Sequence, residues 1–358
     1  MLEYSVFLNS LNLQNFRSYS SKSFNFVPNT NLILGPNGSG KTNILEAIFL
    51  LSGTNSFRAS RLSQMISWQE KFTSVQAKLN KNKEIINLEL QLIKEQNKLP
   101  TSRRFLVQKV QKTRKIFLTN LKTVIFHPSD IRLVSGSPSH RREFINSFLS
   151  RLEWYYASAL SQYNKSIKQR NELLNLIFQK QASVNELFFW DQSLIKNSNI
   201  LYQYRKKFFK SINNFLKQNK NSQIQQISFK YLASVLTKEK LHYSLNSDIR
   251  KGITSFGPHR DDYQFNNNSF FPEDKNLASW GSRGQKRLAI LSLKLAQIHY
   301  IETNYKQTPV LLLDDIFSEL DKDHRLLVTN LCKNHQVFIT TSSPHIQKLL
   351  PSAKLITL

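Results

Sequence analysis

The residues best equipped for chemistry are the eight at 35 to 42, Gly35-Pro36-Asn37-Gly38-Ser39-Gly40-Lys41-Thr42, which spell the phosphate-loop pattern G-x-x-x-x-G-K-[ST]. Such a loop binds polyphosphate through successive backbone N–H groups and a helix N-terminus, so it must turn tightly with few side chains in the way. Glycine permits that turn. The chain has only nine glycines, and three of them fall in these eight positions. Lys41 is placed to reach the β and γ phosphates of ATP, and the Thr42 hydroxyl to ligate Mg²⁺.

A second group lies towards the C-terminal end. Ser282-Arg283-Gly284-Gln285 opens a helical pattern carried on by Leu288, Leu291, Leu295 and Ile298, with Gly281 and Gly284 at its start. Backbone N–H groups, a hydroxyl and the positive end of a helix dipole make that start a candidate anion site. Val310-Leu311-Leu312-Leu313-Asp314-Asp315 reads as a buried strand ending in two carboxylates. Beside a phosphate loop, Asp314 can hold the Mg²⁺ water shell, and Asp315 is positioned to orient or deprotonate an attacking water. Asp321 follows in Ser318-Glu319-Leu320-Asp321. His259, Asp261 and Asp262 crowd into one turn with no second cluster to complete a metal site, so hydrogen bonds and ion pairs within that turn are the expectation.

These groups must be positioned by regular elements. Leu11 and Leu13, then Phe24 and Phe26, alternate as in strands, and Leu32-Ile33-Leu34 is a buried strand feeding the loop. Ile44, Ile48 and Leu51 follow the loop at helical spacing. Val75, Ala77 and Leu79, a turn at 80 to 83, and Ile86, Leu88, Leu90 and Leu92 predict a β-hairpin. Val124-Ile125-Phe126 is a further strand, closed at His127-Pro128. One long helix is expected over about 139 to 181, its stripe running Leu149, Leu152, Tyr156, Leu160, Tyr163, Ile167, Leu174 and Ile177. A second is expected over about 184 to 217, with Leu194, Leu201, Phe208, Ile212 and Phe215 on its stripe. Residues 224 to 250 read as a return to short strands, and Val337-Phe338-Ile339 as a last buried strand.

Composition narrows the partners. The 358 residues exceed the size at which single cores stop growing, so two lobes are expected. A net charge of +26, from 50 basic and 24 acidic residues, points to a polyanion, and DNA comes first beside a nucleotide site. Candidate contacts are Arg103, Arg104, Lys109, Lys112, Arg114 and Lys115, with Lys165, Lys168, Arg170, Arg205, Lys206, Lys207 and Lys210 on the polar faces of the long helices. The single cysteine, Cys332, excludes a disulfide framework and suits a reducing, cytoplasmic setting. No apolar run approaches the length of a membrane span, so no membrane partner is expected.

Taken together, the phosphate loop, Ser282-Arg283-Gly284-Gln285, the acidic strand end and Asp321 resemble the ABC-type ATPase head shared with SMC proteins. More narrowly the chain resembles the RecF family of bacterial DNA replication and recombinational repair proteins. That resemblance is carried by Asn15-Phe16-Arg17, Phe57-Arg58, Trp68-Gln69-Glu70, Val134-Ser135-Gly136 with Pro138 and Arg141-Arg142, Lys168-Gln169-Arg170-Asn171, Trp190-Asp191 and Gly257-Pro258-His259. It implies an α/β fold, an ABC-type P-loop ATPase head of mixed sheets and helices with an inserted α-helical lobe. The head's first part would be 1–122, the lobe 123–250, and the head's second part 251–358. It also implies that Gln69 is the Q-loop residue, that Asp314 is the Walker B acid, and that Ser282, Gly284 and Gln285 meet the γ phosphate of ATP held by a second subunit, with Asp321 at the same junction. Partners implied are RecR, RecO and the recombinase RecA at single-strand gaps, within the SOS response. Asp315 stands where many ABC proteins have Glu, and Thr341 where they have a switch histidine; both departures predict slow hydrolysis.

The physical reading is a switch, in which the γ phosphate supplies dimer contacts that ADP cannot, so nucleotide state sets the dimer population. A homodimer formed with ATP would hold single-stranded, gapped or duplex DNA and act as a weak, DNA-stimulated ATPase. A transporter ATPase would share the nucleotide motifs but has no need of this charge. An SMC-like architectural protein needs far longer coiled coils than about 80 residues allow at ~1.5 Å per residue. A two-metal nuclease lacks a second carboxylate cluster.

Overall fold

The computed structural model describes residues 6–53, 56–59, 61–94, 101–268, 276–318 and 322–358. The chain forms two compact units, residues 1–130 with 293–358, and residues 131–292.

In the first unit, β1 (Val6–Phe16), β2 (Tyr19–Asn25) and β3 (Thr30–Leu34) precede α1 (Lys41–Leu51). The chain continues through β4 (Phe72–Lys81), β5 (Glu84–Ile93), β6 (Ser102–Val107), β7 (Val110–Gln111), α2 (Arg114–Leu118) and β8 (Thr123–Phe126). An antiparallel sheet of order β2-β1-β4-β5-β6-β7 forms because alternate residues of each strand are apolar. Leu11, Leu13, Val75, Ala77, Leu88 and Leu90 turn into the core. The β4–β5 hairpin closes at Asn82 and Lys83, both with positive φ (53° and 71°), the twist a two-residue loop needs.

The second unit is mostly helical: α3 (Ile131–Ser135), α4 (Pro138–Leu152), α5 (Trp154–Phe178), α6 (Leu187–Lys217), α7 (Ser222–Gln225), the strand β9 (Ile227–Leu232), α8 (Lys238–Lys251), β10 (Asp262–Asn267), α9 (Leu277–Trp280) and the first part of α10 (Arg283–Tyr305). β9 and β10 form a two-stranded antiparallel sheet, and α5 and α6 pack along one another.

Several expectations are corrected in this unit. The long helix over 139 to 181 is broken at Glu153, whose backbone is extended (φ −119°, ψ 106°); neither Gly nor Pro marks the break. Of residues 224 to 250, only β9 is strand; α7 ends at Gln225, and α8 takes 238 onward. Thr237 caps that helix by accepting from the Lys240 N–H at 3.3 Å, and Gly252 ends it in the left-handed region (φ 64°). Arg170 and Arg205 are not on the polar helix faces. Arg170 shares a stripe with Tyr156, Tyr163 and Leu174, and Arg205 lies in line with Leu194, Leu201, Phe208 and Ile212, so both are buried. Arg170 pairs with Asp191 at 2.7 Å and Asp248 at 2.9 Å. Arg205 donates to Asp261 at 2.6 Å, Asn146 Oδ1 at 2.8 Å, the Pro258 carbonyl at 2.9 Å and the Tyr156 hydroxyl at 3.0 Å. The acids of the 256–262 turn therefore bond outward: besides Arg205 of α6, Asp261 accepts from the Tyr231 hydroxyl of β9 and from the Ser234 N–H, and Asp262 accepts from Arg141 of α4. His259 Nδ1 lies 2.6 Å from the Tyr163 hydroxyl and Nε2 3.0 Å from the Thr254 carbonyl, a neutral ring whose pKa burial pushes down to about 4.

The unit boundaries also differ from 123 and 250. β8 pairs in parallel with β11 of the first unit, and β10 pairs with β9 of the second, so hydrogen-bonded sheets hold residues 123 to 126 and 262 to 267 in their respective units.

The chain re-enters the first unit within α10 and continues through β11 (Val310–Asp314), α11 (Lys322–Leu331), β12 (Val337–Thr341), α12 (His345–Leu349) and β13 (Lys354–Thr357). A five-stranded parallel sheet of order β13-β3-β12-β11-β8 results. Its inner strands read as continuous apolar runs because they are covered on both faces. α1 packs against strands of both sheets, and for that reason Ile44, Leu45, Ala47, Ile48, Phe49, Leu50 and Leu51 are all buried, well beyond the three-residue stripe expected. No described helix is long and apolar enough to cross a membrane.

Candidate nucleotide-binding site

Parallel pairing sets the site. Leu34 lies opposite Thr341, Thr340 opposite Asp314, and Leu313 opposite Phe126. The residues that follow β3, end β11 and follow β8 therefore emerge at one edge, the carboxyl end of the sheet, where α/β sheets bind ligands.

From β3 the chain enters the loop of 35 to 40. Gly38 and Gly40 have φ of 86° and 101°, and Gly40 is the N-cap of α1. A Cβ on Gly40 would also lie 2.5 Å from the Tyr19 hydroxyl, so two independent constraints demand glycine there. Pro36, Asn37 and Gly38 are exposed at the rim. Lys41 is 8% exposed and its Nζ donates to the carbonyls of Gly35 and Pro36, each at 2.7 Å. The Ser39 and Tyr19 hydroxyl oxygens are buried without a partner, and burial pushes the Tyr19 phenol up to about 12.

Thr42 and Asp314 meet: Thr42 Oγ1 donates to Asp314 Oδ1 at 2.8 Å and lies 3.2 Å from Oδ2. Thr340 Oγ1 donates to Oδ1 at 2.7 Å. Asp314 is 5% exposed. Two adjacent hard oxygen ligands, with the unpartnered Ser39 hydroxyl on the neighbouring loop, fit a magnesium ion. At Asp315 the chain leaves β11 in the left-handed region (φ 49°), with its N–H donating to the Thr340 carbonyl at 3.2 Å; such strain in a non-glycine residue is concentrated at functional sites.

Among the described residues, Gln69 makes no hydrogen bond to Lys41, Thr42 or Asp314. It is exposed in the left-handed turn after β1's neighbour Ile66 (φ 69°). Asp321 lies outside the described residues. In the second unit, Ser282 and Gln285 cap α10 reciprocally: the Ser282 N–H donates to Gln285 Oε1 at 2.8 Å and the Gln285 N–H to Ser282 Oγ at 3.3 Å. Ser282, Arg283 and Gly284 are exposed, and a Cβ on Gly284 would meet nothing nearer than Ser282 Oγ at 4.0 Å.

Sequence reasoning missed three neighbours of the site. His127 follows β8, and its Nε2 lies 3.4 Å from Asp314 Oδ2. Burial lowers its pKa, outweighing the opposite pull of Asp314 and Asp130. Asp130 accepts from the His127 N–H at 2.8 Å and pairs with the buried Lys294 Nζ at 2.9 Å. Glu46 of α1, wholly buried, takes Arg17 through two bonds of 2.8 and 2.7 Å. For His127 the available signal was positional, a polar residue directly after a buried strand; Glu46, inside α1, and Asp130 carried no such mark.

The RecF/RecN/SMC N-terminal domain family matches residues 7–353. The DNA replication and repair protein RecF of Lachnoclostridium phytofermentans is 34% identical over 347 residues, covering 94% of this chain and 92% of that one. The RecF of Clostridioides difficile is 33% identical, covering 96% and 93%. A solved structure of the recombination mediator protein RecF-ATPrS in the RecFOR pathway superposes with a TM-score of 0.82 at 30% identity, over 94% of this chain and 93% of that one. An SMC head bound to the C-terminal winged-helix domain of ScpA, at 18% identity and a TM-score of 0.51, shares the fold. The ABC-type ATPase head, a mixed α/β fold, is thereby established, and the chain belongs to the RecF family of DNA replication and repair proteins.

Proposed function

We propose that this chain is an ATP-dependent DNA-binding switch that pairs with a second copy of itself when ATP is bound. The observation that supports the reading is the 2.8 Å contact of Thr42 with Asp314 beside the glycine loop, which brings together, from far apart in sequence, the two residues that would hold a phosphate-bound cation. Lys41 and the loop N–H groups of 35 to 40 hold the phosphates, and Thr42 and Asp314 hold Mg²⁺. The cation, when bound, neutralises phosphate charge. Asp315 orients water for a slow hydrolysis that resets the switch.

The first unit serves as the nucleotide-holding half and the second carries Ser282, Gly284 and Gln285 to the partner's nucleotide, with Asp321 at the same junction. Gly284 supports that role: its own chain leaves room for a side chain, and alanine would suit a first helical turn better by about 1 kcal/mol, so glycine is explained by close approach of something outside. DNA binding follows from the +26 charge, with Arg104, Lys109, Lys112, Lys115, Lys165, Lys168, Lys206, Lys207 and Lys210 exposed. RecR and RecO are the protein partners this reading brings, with RecA loading at gaps as the outcome, in the cytoplasm. The 25-residue α5 and 31-residue α6 reach only about 38 and 46 Å at ~1.5 Å per residue, too short for an architectural coiled coil.

Sedimentation with ATP, with ADP and without nucleotide tests the switch: dimer with ATP alone is expected, and equal mass in all three overturns it. Ser282→Arg should abolish the dimer while leaving ATP binding within about twofold, because Ser282 serves the partner's nucleotide.

A further inference from the structure

The site holds a side chain that the phosphate-loop motifs do not include. His127 leaves β8 beside the carboxylate of Asp314, with Nε2 3.4 Å from Oδ2; Thr42 and Thr340 both donate to Oδ1, at 2.8 and 2.7 Å, and the Thr42 hydroxyl lies 3.2 Å from Oδ2, so Oδ1 is the oxygen nearer Thr42. The ring's orientation does not depend on Asp314. The Ser129 N–H donates to Nδ1 at 3.1 Å, the Ser129 hydroxyl lies 2.6 Å from the same nitrogen, and the Phe57 ring sits against the imidazole at a centroid distance of 5.3 Å. With Nδ1 occupied as acceptor, the proton of the neutral ring is on Nε2 and faces Asp314. Asp130 fixes the turn from below by accepting the His127 N–H, and Lys294 holds Asp130.

We propose that His127 is a positioning residue for Asp314: its Nε2–H engages Oδ2 and keeps the carboxylate plane turned so that Oδ1 stays on the Thr42 side, where a divalent cation is bound. The proposal rests on the nucleotide-site reading above and adds to it a group from the strand on the far side of β11. At 3.4 Å the contact is longer than a good hydrogen bond and acts as a weak electrostatic pull of the Nε2–H on the carboxylate. An outer partner that orients a metal-ligating carboxylate sets cation affinity without touching the cation. The alternative, that His127 merely fills space under Phe57, makes no demand on the position of its N–H.

The test is a Mg²⁺ titration of fluorescent ATP-analogue binding to the full-length protein, with no turnover required. His127→Leu should raise the half-saturating Mg²⁺ about tenfold, the lower end of what loss of an outer-shell partner causes, while affinity in EDTA stays unchanged. His127→Gln, whose amide N–H reaches as far as Nε2, should stay within about twofold of the parent; His127→Asn, which reaches only as far as Nδ1, should resemble the leucine variant. Parent-like Mg²⁺ dependence in His127→Leu, or equal loss in His127→Gln and His127→Asn, overturns the positioning role. A parent protein that binds the analogue with no Mg²⁺ dependence at all overturns the cation site itself, and the proposal with it. If the leucine variant melts early, the glutamine–asparagine comparison still decides.

Discussion

The Asp261–Arg205 pair offers the sharpest test of what holds the second unit together. Asp261 is 4% exposed and accepts from Arg205 at 2.6 Å, from the Ser234 N–H at 2.6 Å and from the Tyr231 hydroxyl. Arg205 is 1% exposed, and its other three partners are neutral: the Tyr156 hydroxyl, the Pro258 carbonyl and Asn146 Oδ1. Asp261→Asn leaves a guanidinium buried with no counter-charge and sets an amide N–H₂ against groups that are already donors. Removing one partner of a buried pair costs about 3–5 kcal/mol. With an m-value of about 2 kcal/mol/M in urea, the unfolding midpoint of this unit should fall by about 2 M. Arg205→Met alone should cost a comparable amount, and the double variant little more than either single, a coupling of at least about 2 kcal/mol. The assay is urea unfolding followed by far-UV circular dichroism, with ATP-analogue binding measured in parallel. A single-variant loss below about 1 kcal/mol, or additive losses in the double, would refute the account of this network as one electrostatic unit.

Three further outcomes are expected. Gly40→Ala should weaken ATP-analogue binding about tenfold or more, since φ of 101° costs a side chain ~1–2 kcal/mol and its Cβ would press on the Tyr19 ring; Tyr19→Ala in the same chain should restore part of the loss, by fluorescence titration. Asp314→Asn should abolish the Mg²⁺ dependence of nucleotide binding while leaving the metal-free affinity in place, read in the same titration. His259 is held neutral in the fold, its pKa depressed from 6.5 to about 4, so its contribution is full above pH 6.5 and lost as pH falls towards 4. The loss reaches at most about 3 kcal/mol at about 1.4 kcal/mol per pH unit; unfolding midpoints at pH 7.5 and pH 4.5 should therefore converge in His259→Gln relative to the parent.

What the sequence determined by itself was local. The glycine loop declared its chemistry because phosphate binding needs consecutive backbone positions, and the hairpin of β4 and β5 was readable because strand periodicity and turn residues lie within one window. The cap and stop of α8, Thr237 and Gly252, are equally present in the sequence, but the alternation at 227 to 231 beside them gives the stronger local pattern. The break at Glu153 left no such mark: the apolar spacing runs on either side of it, and only packing decides that two helices are made there. Tertiary structure alone decided which charges are surface and which are core. Arg170 and Arg205 look like any other cation on a basic helix until Asp191, Asp248 and Asp261 arrive from distant segments to neutralise them. It alone put His127 beside Asp314, because strand order in a parallel sheet is set by crossovers that leave no local pattern in the chain.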